Sequence, residues 1–222
     1  MRVVLVRHAE SLWNAAELVQ GQGGPGLTTL GAAQAQATAE MLAARCPRPA
    51  LAVRSDLPRV AETAAPAERL LGVPVTVDAQ LREIDVGRWS GRTWDDIAVD
   101  EPGAVAAIRR GEDVVRGGKE SWADVRARTR AALRRLLDEA SGGDGEDGLL
   151  VFSHGGPIRM AVADVLGLAP GGEGVLEDVG NCSLTELRVG ADGSGLVVYN
   201  ETGHLTDLGV GGTVSGTDRA PA

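Results

Sequence analysis

The sequence predicts an α/β fold in which a largely parallel sheet has helices packed on both of its faces. Short apolar runs rich in Val and Leu recur along the chain, and segments with helical periodicity separate them. Such alternation is typical of parallel sheets whose strands are buried on both faces. The length of 222 residues fits one α/β domain.

Six segments have the composition of strands. Residues 2–6 and 149–152 are continuous apolar runs, as expected for buried parallel strands. The last two segments flank a Gly-rich turn and are expected to pair as an antiparallel edge of the sheet. In chain order, the six predicted strands are residues 2–6, 51–54, 73–77, 149–152, 183–189 and 196–200.

Capping residues predict two helices in the first half of the chain. Thr28 is suited to the N-cap of an Ala-rich helix over residues 29–44. Ser55 or Asp56 is expected to cap a second helix over about residues 58–71.

Helical periodicity predicts two further helices in the second half, over residues 122–137 and 157–166. Residues 87–101 are expected to be irregular, and residues 103–118 to hold one short helix. In the first of the two helices, the apolar stripe is Trp122, Val125, Thr129, Leu133 and Leu136, and the residues off it are Arg126, Arg130 and Arg134.

Domain organisation follows from composition. Residues 1–208 are expected to form one domain, with a flexible acidic link at residues 141–147. Residues 209–222 are rich in Gly, Ser and Thr and are expected to be a disordered tail.

Charge and targeting signals exclude several classes of protein. The net charge of −9 argues against a nucleic-acid partner, which would require a basic face. No run approaches 18 apolar residues, and the N-terminus does not resemble a signal peptide, so no membrane association and a cytoplasmic location are expected. Cys46 and Cys182 match no zinc spacing and are expected to be partly buried thiols.

Two of the three histidines directly follow predicted parallel strands. His8 and His154 should therefore meet at one rim of the sheet, where α/β proteins bind ligands. Arg7 precedes the first histidine, Arg59 lies in the first turn of a helix, and Gly155 opens another helix whose N–H groups suit an anion. Each residue alone is more often structural, and spacing alone favours a structural role and a phosphate pocket about equally.

The motifs themselves resemble those of the histidine phosphatase superfamily, which includes the cofactor-dependent phosphoglycerate mutases. Arg7-His8-Ala9-Glu10-Ser11 with Asn14 resembles its RHGET…N signature, although Ala9 replaces the usual Gly. The resemblance covers about residues 2–205. The further matching blocks are Gln20-Gly21, Leu27-Thr28…Gly31…Gln34-Ala35, Ser55-Asp56-Leu57-Pro58-Arg59…Thr63-Ala64, Leu81-Arg82-Glu83…Gly87…Trp89…Gly91, Glu120-Ser121…Arg128, Ser153-His154-Gly155-Gly156, Asn181-Cys182-Ser183 and Asn200…His204-Leu205.

The resemblance implies a role for each matching residue. His8 would be the phosphorylated nucleophile and Glu83 the proton donor. The phosphoryl oxygens would be held by the side chains of Arg7, Arg59, His154 and Asn14 and by the Gly155 amide, and the substrate-binding set would also include Gln20 and Gly21. The implied fold is a three-layer αβα sandwich of the phosphoglycerate mutase-like type, in which an insert at about residues 87–119 closes over the site.

The resemblance also implies the reaction. We expect a histidine acid phosphatase-type phosphomonoesterase, without metal or other cofactor, that acts on a small phosphorylated metabolite. Two arginines and a protonated His154 would take the place of a metal. The short insert favours a phosphatase over a phosphoglycerate mutase, and the complete residue set favours either over an inert phospho-ligand-binding module. Residues 89–104 resemble actinobacterial members that act on glucosyl-3-phosphoglycerate or on other phosphorylated small metabolites. A homodimer is one option for the assembly.

Overall fold

The computed structural model describes residues 1–142, 148–190 and 193–208 of the chain. Most of the expected link at residues 141–147 and the whole of the expected tail at residues 209–222 lie outside the described residues.

A single mixed sheet forms the centre of the described structure. Its strands lie in the order β3-β2-β4-β1-β5-β6. The first four strands in this order are parallel to one another, whereas β5 runs antiparallel to β1 and β6 runs antiparallel to β5. This arrangement confirms the predicted mostly parallel sheet with an antiparallel edge. The strands are β1 (Arg2–Arg7), β2 (Leu51–Arg54), β3 (Val75–Val77), β4 (Leu149–Ser153), β5 (Leu184–Arg188) and β6 (Gly195–Glu201).

Helices connect the strands. The described α-helices are α1 (Leu12–Ala15), α2 (Thr29–Arg45), α3 (Pro58–Leu71), α4 (Trp94–Asp100), α5 (Pro102–Arg109), α6 (Trp122–Ser141) and α7 (Gly155–Val165). Short 3₁₀ helices are Ala79–Leu81, Gly87–Trp89, Gly172–Val175 and Gly203–Leu208.

The alternation of side chains along the strands creates two separate cores. Val4 and Val6 of β1 face the helices α2 and α3, whereas Val3 and Leu5 face α6 and α7. In β4, the same alternation places Leu150 and Phe152 in the core with α2 and α3, and Leu149 and Val151 in the core with α6 and α7. The sheet is therefore buried on both faces, which gives the three-layer αβα sandwich.

Two short helices were not predicted. Helix α1 follows β1 directly and is closed by a capping box between Ser11 and Asn14. Helix α4 lies in residues 87–101, for which the prediction of irregular structure was wrong. Thr93 and Asp96 form a capping box there, and the buried Trp94 and Ile97 anchor the helix in a third apolar cluster.

The predicted cap of α3 was also wrong. Its N-cap position is Leu57, which makes no side-chain cap hydrogen bond. Ser55 instead contacts His154, and Asp56 forms an ion pair with Arg82. Both side chains are therefore taken up by long-range contacts.

Three further side chains are more deeply buried than expected. Arg126 is buried although it lies off the apolar stripe of α6, because its Nε donates to Asp164 at 2.6 Å on the neighbouring helix α7. Cys46 and Cys182 are fully buried, and burial raises the pKa of the Cys182 thiol to about 12. With this pKa, the Cys182 thiol stays protonated at neutral pH and does not supply the thiolate that a nucleophile requires.

The first and last residues of the insert after Glu83 lie next to each other. The Glu120 amide donates to the Asp85 carbonyl at 3.1 Å, and the Arg88 amide donates to the Gly117 carbonyl at 3.3 Å. The insert, which contains α4 and α5, is therefore a long loop whose two ends are hydrogen-bonded to each other. No helix within residues 1–142, 148–190 and 193–208 is long and apolar enough to cross a membrane.

Close contact between α2 and the loop after β1 gives a stability prediction. A Cβ added at Gly31 would collide with the carbonyl oxygen of Glu10, whereas one added at Gly103 in α5 would meet nothing within 4 Å. We expect Gly31→Ala to lower the free energy of unfolding by about 1–3 kcal/mol through overpacking. Gly103→Ala should raise it by up to about 1 kcal/mol through helix propensity. Urea unfolding monitored by circular dichroism measures both, and equal effects at the two positions would contradict the packing argument.

Candidate active site

The pairing of β1 with β4 brings the two histidines together. Arg7 is opposite Ser153 in the parallel register, so His8 and His154 both lie one residue past their strands. Their ring centroids are 5.2 Å apart at an interplanar angle of 61°. The predicted meeting of the two imidazoles at one rim is therefore confirmed.

A backbone contact sets the tautomer of His8. Its Nδ1 lies 2.8 Å from the Ala9 carbonyl oxygen, which can only accept a hydrogen bond, so Nδ1 carries the proton. Nε2 of the neutral ring then keeps its lone pair. Burial, followed by the positive charges of Arg59 and Arg7, lowers the pKa of His8 well below its usual value of 6.5. His8 is therefore neutral and able to act as a nucleophile at pH 7.

Two buried arginines flank this histidine. Arg7 is 2% exposed and Arg59 is 1% exposed. Arg59 donates from Nη1 to the Gly23 carbonyl at 2.8 Å and from Nη2 to the Gly21 carbonyl at 2.7 Å. Arg7 donates to the Val179 carbonyl, and its buried Nε has no hydrogen-bond partner among the described residues. Backbone carbonyls thus orient both guanidinium groups.

His154 is held between two side chains. Arg59 Nη2 lies 3.1 Å from Nδ1, and because arginine only donates, Nδ1 accepts. The proton is therefore on Nε2, which lies 3.0 Å from Ser55 Oγ. Burial, then the charges of Arg59, His8 and Arg7, lower the pKa of His154 well below 6.5. His154 is therefore neutral in this structure, in contrast to the protonated form expected from the family resemblance.

The predicted phosphate ligand Asn14 lies beside the histidines. Its Oδ1 accepts from the Ser11 amide at 3.1 Å and from Asn181 Nδ2 at 3.3 Å. Its Nδ2 is buried and has no hydrogen-bond partner among the described residues. Because buried donors are almost always satisfied, this amide group is oriented to serve an anion.

The predicted substrate-binding pair Gln20 and Gly21 borders the same region. Gln20 Oε1 accepts from Ser11 Oγ at 2.8 Å, and Gly21 presents its carbonyl to Arg59. Gly21 has a φ of +53°, and a Cβ there would approach Val86 Cγ2 to 2.5 Å. Only glycine fits this turn, so the loop places Arg59 through its backbone.

Glu83 lies against the start of α7, the helix that directly follows His154. Its carboxylate accepts from its neighbour's amide, Ile84 N, at 2.8 Å and from Gly156 N at 3.1 Å. A Cβ at Gly156 would collide with Glu83 Oε1 and approach Trp122 Cζ3 to 2.5 Å. The predicted anion-binding Gly155 is the first residue of α7, whose N-terminus has no side-chain cap.

Three contributors to the site were not identified from the sequence. Asn181 donates from Nδ2 to the His8 carbonyl at 3.0 Å, and Ser55 contacts His154. Arg128 donates to the carbonyl of Glu83 at 2.9 Å while its Nε binds Glu120 at 2.9 Å. All three lie in motif blocks noted above, but only the structure connects them to the histidines and Glu83.

No cluster of metal ligands accompanies the site within the described residues, where no group of three or more His, Cys, Asp or Glu could hold an ion. The described side chains at the rim are instead guanidinium groups, neutral imidazoles, an amide and one carboxylate. Such donors match the oxygens of a phosphoryl group.

Comparison with known proteins identifies close relatives. The model of the histidine phosphatase superfamily (branch 1) matches residues 3–202. A glucosyl-3-phosphoglycerate phosphatase of Mycobacterium tuberculosis is 38% identical over 190 residues, 84% of each chain. A probable phosphoglycerate mutase of Salmonella paratyphi C is 33% identical over 188 residues, again 84% of each. The structure of mycobacterial glucosyl-3-phosphoglycerate phosphatase with VO3 superposes with a TM-score of 0.82 at 35% identity, covering 90% of this chain and 99% of the other.

The lowered histidine pKa values predict a pH-dependent stability. Below pH 6.5, the unfolded chain takes up protons that the folded His8 and His154 do not, so the free energy of unfolding should fall as the pH falls. Each histidine contributes a slope of up to about 1.4 kcal/mol per pH unit. The stability that the two neutral histidines contribute is fully present above pH 6.5 and is lost as the pH falls.

Urea unfolding between pH 7.5 and 5.5 measures this slope, which should flatten in the His8→Asn/His154→Asn double variant. His204→Asn is the control for the third histidine, whose pKa is also lowered but which is less buried. An unchanged slope in the double variant would show that the two site histidines titrate normally.

Proposed function

The chain belongs to the histidine phosphatase superfamily (branch 1), and we propose that it hydrolyses its substrate through a phosphohistidine formed on His8. The chain is a phosphomonoesterase that acts on a phosphorylated small molecule. The observation that carries the proposed chemistry is the 2.8 Å contact between His8 Nδ1 and the Ala9 carbonyl, which leaves Nε2 with a free lone pair in the field of two buried arginines.

In the first step, His8 Nε2 attacks phosphorus in line with the leaving oxygen. The P–N bond forms while the P–O bond breaks, and Glu83 gives its proton to the leaving oxygen. The guanidinium groups of Arg7 and Arg59, Asn14 Nδ2 and the start of α7 supply hydrogen bonds to the equatorial oxygens. The two guanidinium groups are already oriented by backbone carbonyls, so little of their reorganisation accompanies the reaction.

In the second step, water attacks the phosphohistidine. Glu83, now a carboxylate, accepts a proton from the water as the new P–O bond forms and the P–N bond breaks. His8 returns to its neutral state, and the Nδ1 hydrogen bond to Ala9 keeps the ring orientation through both steps. The incoming anion would raise the pKa of the buried His154, so a proton on His154 belongs to the substrate-bound state.

For the substrate, we favour glucosyl-3-phosphoglycerate, because the phosphatases named for this compound resemble the chain more closely than the mutase does. The mutase alternative would require a bisphosphorylated intermediate to be kept from water. An inert phospho-ligand-binding module is disfavoured because His8, Glu83 and both arginines are all in place. We further propose that the insert at about residues 87–119 caps the site. The expected cytoplasmic location and homodimer stay predictions.

The nucleophile assignment predicts the effect of His8→Asn. Phosphate release from glucosyl-3-phosphoglycerate, in buffer with a chelator, should fall at least about a thousandfold. Acid quenching during turnover with labelled substrate should trap an acid-labile phosphoenzyme in the wild type and none in the variant. His204→Asn, on a histidine that contacts Thr38 at 3.1 Å, should keep full activity. Loss of wild-type activity in chelator, restored by a metal, would contradict the metal-independent mechanism.

The proton-donor assignment predicts that Glu83→Gln affects substrates unequally. Release of a sugar or glycerate alkoxide should slow about a hundredfold or more, because these leaving groups need a proton. Release of nitrophenolate should slow much less in the phosphorylation step, measured as the burst of nitrophenol. Glu62→Gln, in which the replaced carboxylate accepts from the Leu27 amide at 2.9 Å, is the control. If Glu83→Gln slowed the phosphorylation step by the same factor for both kinds of leaving group, Glu83 would be excluded as the acid.

A further inference from the structure

The proton donor Glu83 lies in a segment without regular secondary structure. Residues 82–86 belong to no helix or strand, yet Glu83 is only 2% exposed. Its two carboxylate oxygens accept from the amides of Ile84 at 2.8 Å and Gly156 at 3.1 Å. A proton donor must be held within hydrogen-bond reach of the leaving oxygen. Contacts from outside the segment therefore have to fix its backbone.

Arg128 of α6 supplies these contacts, and its side chain is 13% exposed. Three carbonyl oxygens of the segment accept from it, those of Gln80 at 2.8 Å, Arg82 at 2.6 Å and Glu83 at 2.9 Å. The remaining N–H groups donate to the Glu120 carboxylate, from Nε at 2.9 Å and from Nη2 at 3.1 Å. Every N–H group of this guanidinium therefore has an acceptor among the described residues.

This complete set of hydrogen bonds distinguishes Arg128 from the phosphate pocket. Arg7 and Asn14 each keep a buried nitrogen without a hydrogen-bond partner among the described residues. Arg128 has no such N–H group to offer to a phosphoryl oxygen. Its guanidinium therefore acts on the protein and not on the substrate.

The hydrogen bond to the Glu83 carbonyl influences the carboxylate through one peptide group. The carbonyl of Glu83 and the amide of Ile84 belong to the same planar unit and point in opposite directions. The carbonyl accepts from Arg128 and, at 3.1 Å, from Gln22 Nε2, while the amide donates to Glu83 Oε1. A rotation of this peptide away from Arg128 would turn the amide away from the carboxylate. Arg128 thus fixes the direction of a donor that orients the Glu83 side chain.

Glu120 holds Arg128 in turn. Its Oε2 accepts from the Asp85 amide at 2.8 Å, and its own amide donates to the Asp85 carbonyl at 3.1 Å. Glu120 directly precedes Ser121, the N-cap of α6, and Arg128 lies about two turns further along the same helix. Residues 80–85 are therefore held by α6 and the end of the insert, and not by their own local structure.

We propose that Arg128 is a positioning residue of the reaction, which orients the Glu83 carboxyl group without touching the substrate. This inference rests on the proposed function, because that function makes Glu83 the proton donor. The role requires the planar fork of arginine and not only its charge. Lysine at this position keeps the charge but cannot reach the three carbonyls and the carboxylate together.

The variant Arg128→Lys tests the proposal through kcat/KM, which reports binding and phosphorylation. We expect kcat/KM to fall at least about tenfold for glucosyl-3-phosphoglycerate, whose alkoxide needs a proton, and to stay within about threefold for nitrophenyl phosphate. The inhibition constant of inorganic phosphate should stay within about twofold, because the phosphate pocket is separate. Arg130→Lys is the matched control on the same helix, since Arg130 pairs with Asp164 at 2.7 Å and should be replaceable. Wild-type activity in Arg128→Lys, or equal losses on both substrates, would overturn the proposal.

A double-mutant cycle separates positioning from an independent contribution. In the Glu83→Gln background, Arg128→Lys should lower kcat/KM for glucosyl-3-phosphoglycerate by less than about twofold, since the donated proton is already lost. Losses that multiply would reject a role exerted through Glu83. Arg128→Met should lose at least as much as Arg128→Lys, and a loss in Arg128→Met that lysine restores would assign the effect to charge and also reject positioning.

Amide hydrogen exchange, measured by NMR, tests the position of Glu83 without any substrate. The Ile84 and Gly156 amides, which donate to its carboxylate, should exchange at least about tenfold faster in Arg128→Lys, whereas amides of β1 should keep their wild-type rates. Unchanged exchange at both amides would overturn the positioning role even if the protein releases phosphate. Faster exchange in the variant, together with a wild type that releases no phosphate, would overturn the proposed function and leave the orientation of Glu83 by Arg128 in place.

Discussion

The parallel pairing of β1 with β4 is the constraint on which the site depends. Because the register joins Arg7 to Ser153, the two histidines leave their strands at the same level and their rings meet. The alternation of buried residues makes this register difficult to change, since a shift of one residue would turn each apolar side chain of β1 toward the wrong helical layer. The packing of two cores against one sheet thus fixes the position of His8.

Burial of positive charge is the second feature from which the chemistry follows. Arg7 and Arg59 lie beside two imidazoles that are kept neutral by burial and by those same charges. The carbonyls of Val179, Gly21 and Gly23 orient the guanidinium groups but neutralise them only partly. A phosphoryl dianion entering such a site gains strong attraction in a low dielectric. The acidic chain therefore carries a local positive field that its net charge of −9 conceals.

Much of the fold and the site was predictable because strand ends and motifs are local in sequence. The positions of His8 and His154 followed from apolar runs, and the capping box of α4 could have been recognised from Thr93 and Asp96. The contact of Ser55 with His154 could not, because it joins residues 99 apart. The same holds for Arg126, which is buried by its pairing with α7 and not by its own helix. The neutral state of His154 depends on the combined charges of residues brought together only by folding.

The groups around the two histidines come from elements that differ in how far the two cores restrict them. His8, His154, Arg7 and Arg59 come from strand ends and α3, where two cores restrict any change. Arg116 belongs to the insert after Glu83, and Trp122 is the first residue of α6. Gly156 joins the two regions, because its lack of a side chain lets Glu83 and Trp122 approach each other. Substitutions in the insert are therefore expected to leave the register of β1 and β4, and with it the two histidines, in place.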